Sequence, residues 1–127
     1  MSIEQVLGVT VGSGPVFSVA KLPSALASTN ATSVKAAGAK VFRIMGVNAS
    51  AAVKYLKLYN KASAPAVGTD VPVATLALPV GAFAHELTVY GLALGTGFAY
   101  ALTGAAADTD TTALAAADVV GLNILYL

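Results

Sequence analysis

The sequence predicts an all-β chain: an antiparallel β-sandwich, jelly-roll-like, with an extended N-terminal arm. Three observations lead there. Apolar residues recur with a period of two far more often than with the period of a helix, which is the spacing of a half-buried strand. The apolar runs are short, and each is bounded by Gly, Pro, Asn or Ser. Seven or eight such runs follow one another at intervals of about 10 to 15 residues, the rhythm of a sandwich or jelly roll.

Taken in order, Val6 to Val11 is the first run, closed by Gly12-Ser13-Gly14-Pro15, and Val16 to Ala20 follows. Ser24 to Ser33 (SALASTNATS) is small, polar and turn-like, the composition of a loop or of a flexible connection between an arm and a body. The chain therefore divides into residues 1–35, an N-terminal arm or edge strands with a loop, and residues 36–127, the sandwich body. Lys40 to Asn48 is a strand in which Val41, Arg43, Met45 and Val47 alternate with Phe42, Ile44 and Gly46. Ala52 to Tyr59 is the next, with Lys54, Leu56 and Leu58 on one side and Val53, Tyr55, Lys57 and Tyr59 on the other. The link Asn48-Ala49-Ser50-Ala51 fits a short hairpin connection between them. Neither face of the second strand is cleanly polar, so both are expected to be covered, one by the core and one by a partner.

Asn60 to Asp70 reads as a loop. Val71 to Leu78 carries Pro72 near its start and is followed by Pro79. Proline donates no ladder hydrogen bond, so this strand belongs at a sheet edge or begins just after Pro72. Phe83 to Tyr90 and Phe98 to Thr103 alternate as strands do. Gly104 to Ala117 is acidic and rich in Ala and Thr, either a loop or one helical turn around Thr112 to Ala117. Val119 to Leu127 closes the chain as an apolar strand, an end expected to be tucked into a sheet.

Composition narrows the function classes. There is no cysteine, which excludes disulfides, zinc–thiolate sites and thiol catalysis. Charged residues make 10% of the 127-residue chain, against roughly 25% in an ordinary soluble domain. Hydrophobic residues make 57%, much of it Ala. A lone monomer with so few charges is poorly protected against association, which implies that partners normally cover part of its surface. Charge is also segregated. Residues 1–61 hold all seven basic groups and only Glu4, whereas residues 62–127 hold five acids and no cation. Either the two halves pair within one sandwich and the charges mix, or the protomer is dipolar and meets a complementary neighbour.

The start of the chain, Met1-Ser2-Ile3-Glu4-Gln5, lacks the basic region of a signal peptide. Leu87 to Ala107 is uncharged for 21 residues. Its four glycines, its period-two alternation and the absence of flanking Lys or Arg argue against a membrane span.

No motif reaches the level of a catalytic or cofactor site. His85 is the only histidine, so neither a triad nor a His-rich metal site can form around it. It reads as a structural, partly buried residue. Asp108-Thr109-Asp110-Thr111-Thr112 spaces oxygen ligands as calcium loops do, but Ala113 and Val119 stand where an EF-hand requires Gly and Glu. A turn capped by Asp110 or Thr111 explains it better. Gly12-Ser13-Gly14 and Gly95-Thr96-Gly97 fail to complete a phosphate-binding G-x-G-x-x-G, since Phe17 and Tyr100 occupy the third position. Lys54, Tyr55, Lys57, Tyr59 and Lys61 form a basic, aromatic cluster. Such clusters bind single-stranded nucleic acid, yet the net charge is only +1 and no wider basic field supports that use. These five residues are instead candidate interface residues, with tyrosine the customary anchor and lysine the customary rim.

From Tyr55 to Leu127 the chain resembles a family of small virion proteins of tailed bacteriophages. The specific features are KASAPAVGTD followed by PV, and then ALTGAAADTDTTA. The resemblance implies a structural role without enzymatic activity or cofactor: a capsid decoration or cement protein on the virion surface, made in the host cytoplasm. Its expected partners are the major capsid protein or other virion proteins, with self-association as a homodimer or homotrimer, and neither nucleic acid nor membrane. A tail, collar or fibre-associated module is the alternative within the particle. A carbohydrate-binding β-sandwich is the alternative of another class, although the chain has no Trp to build its aromatic platform.

Overall fold

The fold was obtained as a computed structural model, which describes residues 16–127. The described residues form nine strands and no helix: β1 (Ser18–Ser24), β2 (Thr32–Lys35), β3 (Ala39–Asn48), β4 (Lys54–Tyr59), β5 (Ala74–Leu78), β6 (Gly81–Glu86), β7 (Leu92–Leu94), β8 (Phe98–Thr103) and β9 (Val119–Tyr126). They make two antiparallel sheets. The larger has five strands in the order β1-β9-β3-β6, with β7 also pairing β3; the smaller has four in the order β2-β8-β4-β5. This is the expected β-sandwich. The run Val6 to Val11 lies outside the described residues.

Alternation decides which side chains meet between the sheets. The larger sheet contributes Val41, Ile44, Leu122 and Ile124, all fully buried; the smaller contributes Leu56, Leu58, Phe98 and Leu102. Phe98 meets Tyr126 edge-on across the gap, at 5.5 Å between ring centroids. Packing of this kind supplies most of the stability of a cysteine-free domain.

The chain changes sheet at most connections, which corrects one expectation. Asn48 to Ala51 is not a hairpin turn, because β3 and β4 lie in different sheets. It is a corner of the sandwich, and Asn48 holds it. The buried Asn48 amide donates to the carbonyls of Ala52 (2.9 Å) and Leu78 (2.8 Å), and its oxygen accepts from Ser50.

Of the segment 1–35, residues 1–15 lie outside the described residues, and residues 18–35 form two edge strands joined by a loop. β1 pairs β9, and β2 pairs β8. The loop between them is not a flexible connection. Ala25 is buried and donates to Val119, and the Ser28 and Thr29 carbonyls accept from Leu114 and Leu102. Strand β5 lies at an edge and starts after Pro72, as the prolines require. Thr112 to Ala117 forms no helical turn.

Candidate protein-docking surface

The outer face of the smaller sheet carries Tyr55, Lys57 and Tyr59 of β4 opposite Thr103, Ala101 and Ala99 of β8. Alternation would leave such a face to solvent or to another molecule. In the structure Lys57, Tyr59, Ala99, Ala101 and Thr103 are all buried, and their cover belongs to the same chain. The loops spanning 60–73 and 104–113 fold back over the sheet as a roof. Val67 packs on Tyr59, Ala99 and Ala101. At Gly97 the roof comes so close that a Cβ there would lie 2.6 Å from the Ala62 Cα and the Lys61 oxygen.

The roof is held by a buried cation. The Lys57 Nζ donates to the carbonyl oxygens of Ala107 (2.5 Å) and Asp110 (3.4 Å). A buried ammonium is tolerable only with such partners. The acidic segment that resembled a calcium loop thus wraps its carbonyls around a lysine. The Asp110 carboxylate turns inward on its own loop, accepting from the Thr112 hydroxyl and from the Thr112 and Ala105 amides. The Thr112 bond is the main reason that the Asp110 carboxyl lies below the usual carboxylate range. Asp70 is also lowered, chiefly by its hydrogen bond from Lys61. Tyr59 is raised by burial, reinforced by the charges of Asp70 and Asp108, and its hydroxyl has no hydrogen-bond partner among the described residues.

The five residues of the basic, aromatic cluster therefore have separate fates. Lys57 and Tyr59 are sealed beneath the roof and offer no surface to a partner. Lys61 pairs with Asp70 at 2.5 Å, and Lys54 pairs with Asp118 at 3.5 Å on the rim of the sandwich. Tyr55 stays half-buried beside Thr103. The structure does not bring them together as one contact surface. His85 lies on the core side of β6, and its Nε2 is 2.6 Å from the Ala77 carbonyl of β5, bridging the edges of the two sheets. Among the described residues no group of three His, Cys, Asp or Glu could hold a metal ion, and no helix is long and apolar enough to cross a membrane.

Among the described residues, no loop covers the opposite surface. The outer face of the larger sheet consists of three rows across β1, β9, β3 and β6: Val19-Leu125-Arg43-Glu86, Lys21-Asn123-Met45-Ala84 and Ser24-Val120-Val47-Ala82. Val19 and Val47 are exposed, at 54% and 40%, and Met45, Val120 and Leu125 are half-buried. Strand-edge and loop residues extend the apolar character, notably Val16, Phe17, Val89 and Tyr90. The Arg43–Glu86 ion pair (2.9 Å) and Lys21 are the charges within the rows. Exposed apolar surface that is contiguous and crossed by few charges marks a protein-docking site. Sequence reasoning missed this face because Val19, Met45, Val47 and Val120 belong to separate strands, and only the β1-β9-β3-β6 order makes them neighbours. Compared with known proteins, the chain matches no family model, no curated protein and no solved structure.

Proposed function

We propose that this chain is a structural virion protein of a tailed bacteriophage, a decoration or cement protein that stabilises the capsid through protein–protein contacts. The observation that carries the docking role is the asymmetry of the sandwich: one outer face is roofed by the chain's own loops, and the other is left apolar and uncovered by any of the described residues. A molecule that covers one hydrophobic sheet face and leaves the other uncovered is built to be completed by a partner. The Tyr55–Leu127 resemblance supports a virion as the setting.

Bridging contacts need surface rather than a pocket. One groove, of about 470 Å³, is lined by Gly38, Lys40, Leu94, Leu127 and their neighbours and contains one titratable side chain, Lys40. It offers no acid–base pair. A contact of ordinary size covers roughly 800 Å² on each partner, which is the scale of a sandwich face. The test is the copy number of this chain in purified particles. A number matching the capsid shell supports the head assignment. A number matching the tail's symmetry moves the protein to the tail or collar, and absence from the particle contradicts the reading.

A further inference from the structure

One end of the open face holds a protruding apolar tip and an apolar groove side by side. The tip is the turn between β6 and β7, where Val89 is 88% and Tyr90 83% exposed. Its base is firmly placed. Leu87 N–H donates to the Phe42 carbonyl at 3.0 Å and Gly91 N–H to the Thr88 carbonyl at 3.2 Å. Gly91 has φ +84°, and a Cβ there would meet the Phe42 ring at 2.9 Å. Phe42 in turn receives Phe17 edge-on, at 4.8 Å between centroids. The groove beside the tip has a volume of about 450 Å³ and is lined by Phe17, Phe42 and Leu125, with Arg43 and Glu86 on its wall and the tip's own Thr88 and Val89 closing one side.

We propose that a second copy of this chain covers this end of the sheet in a two-fold contact. Val89 and Tyr90 of each copy enter the Phe17–Phe42–Leu125 groove of the other, and Arg43 of each faces Glu86 of the other. This rests on the docking-face reading above and deepens it by naming the partner at one end. The argument is self-complementarity. A two-fold interface presents the same patch from both sides, so every knob needs its hole, and every charge its opposite, within one patch. The tip lies next to the groove, and Arg43 lies next to Glu86. The rows through Met45 and Val47 stay free for the capsid.

Sedimentation equilibrium of the full chain tests this. The wild type is expected to dimerise, and Tyr90→Asp to be monomeric, with the melting midpoint that the wild type shows when diluted to monomer. Arg43→Glu gives a patch with two acids, and Glu86→Arg a patch with two cations. Each variant alone should self-associate about tenfold or more weakly, whereas an equimolar mixture of the two should form a heterodimer. That rescue occurs only if the patch meets itself across copies. A monomeric or trimeric wild type overturns the proposal, as does a mixture that stays monomeric. A dimer that survives Tyr90→Asp but is lost when residues 1–15 are removed assigns the contact to that segment and also overturns it. Binding of the Tyr90→Asp monomer to particles separates the two readings. Retained binding with no wild-type dimer leaves the docking function standing, and an intact dimer that fails to bind particles refutes the function alone.

Discussion

Lys57 shows how a single residue can change meaning between sequence and structure. Its spacing from Lys54 and Lys61 suggests a basic surface, yet its ammonium is buried against the carbonyls of Ala107 and Asp110. Strand parity correctly places Lys57 and Tyr59 on one face of β4. What parity cannot reveal is that residues 50 positions later fold back over that face. Lys57→Met keeps the volume but strands those carbonyls, and is expected to cost about 1–3 kcal/mol. Amide exchange of residues 104–113 should then accelerate, with the larger sheet unchanged. Tyr59→Phe should do the opposite of what loss of a buried tyrosine suggests. Its hydroxyl has no partner, so removing it should leave stability equal or raise it by up to about 1 kcal/mol in thermal denaturation. The carboxylates set the acid limit. Asp70 and Asp110 are both lowered in the folded chain, so their stabilisation is fully present above the unfolded value of about 3.9 and is lost as the pH falls through their folded values. The melting midpoint should hold from neutrality and then drop below about pH 4, with a shallower drop in Asp70→Asn.

At the scale of elements, most strands were legible because alternation and their Gly and Pro boundaries are local signals. β3, β4, β5, β8 and β9 fall within a few residues of where the pattern places them. β2 begins at the end of SALASTNATS, and its four residues (Thr32, Ser33, Val34, Lys35) include only one apolar side chain, too few to make a stripe; they pair with β8 only through tertiary placement. β7 was hidden in the uncharged stretch after Leu87. The loop before β2 misled by composition. Asn30 adopts φ 52°, its Oδ1 accepts from the Leu26 amide at 2.8 Å and its Nδ2 donates to the carbonyls of Leu26 and Ser28. Asparagine tolerates that conformation better than alanine does. Limited proteolysis of the native chain should therefore spare residues 25–30. Asn30→Ala should expose them to cleavage and lower stability by about 1–2 kcal/mol, from backbone strain and lost hydrogen bonds.

At the scale of the molecule, the segregated charges resolve into mixing. The three ion pairs among the described residues, Arg43–Glu86, Lys54–Asp118 and Lys61–Asp70, each join a cation from the first half of the sequence to an acid from the second. The surplus of apolar residues is divided unevenly. The chain covers one sheet with its own loops and leaves the other open, and only the strand order makes that visible. The candidate cluster at Lys54 to Lys61 was drawn from neighbours in sequence, whereas the open face is assembled from neighbours in space.

The most direct measurement is binding of the full chain to phage particles that lack it, comparing wild type with Val47→Asp in the row of the open face farthest from the β6–β7 tip and Val71→Asp in the roof loop. Val71 is 71% exposed, so a charge there leaves the sandwich undisturbed and supplies the control. With melting midpoints confirming that both variants fold, Val71→Asp should bind as the wild type does and Val47→Asp should lose binding. Equal binding by all three, or loss in Val71→Asp alone, would contradict the assignment of the unroofed face as the docking surface.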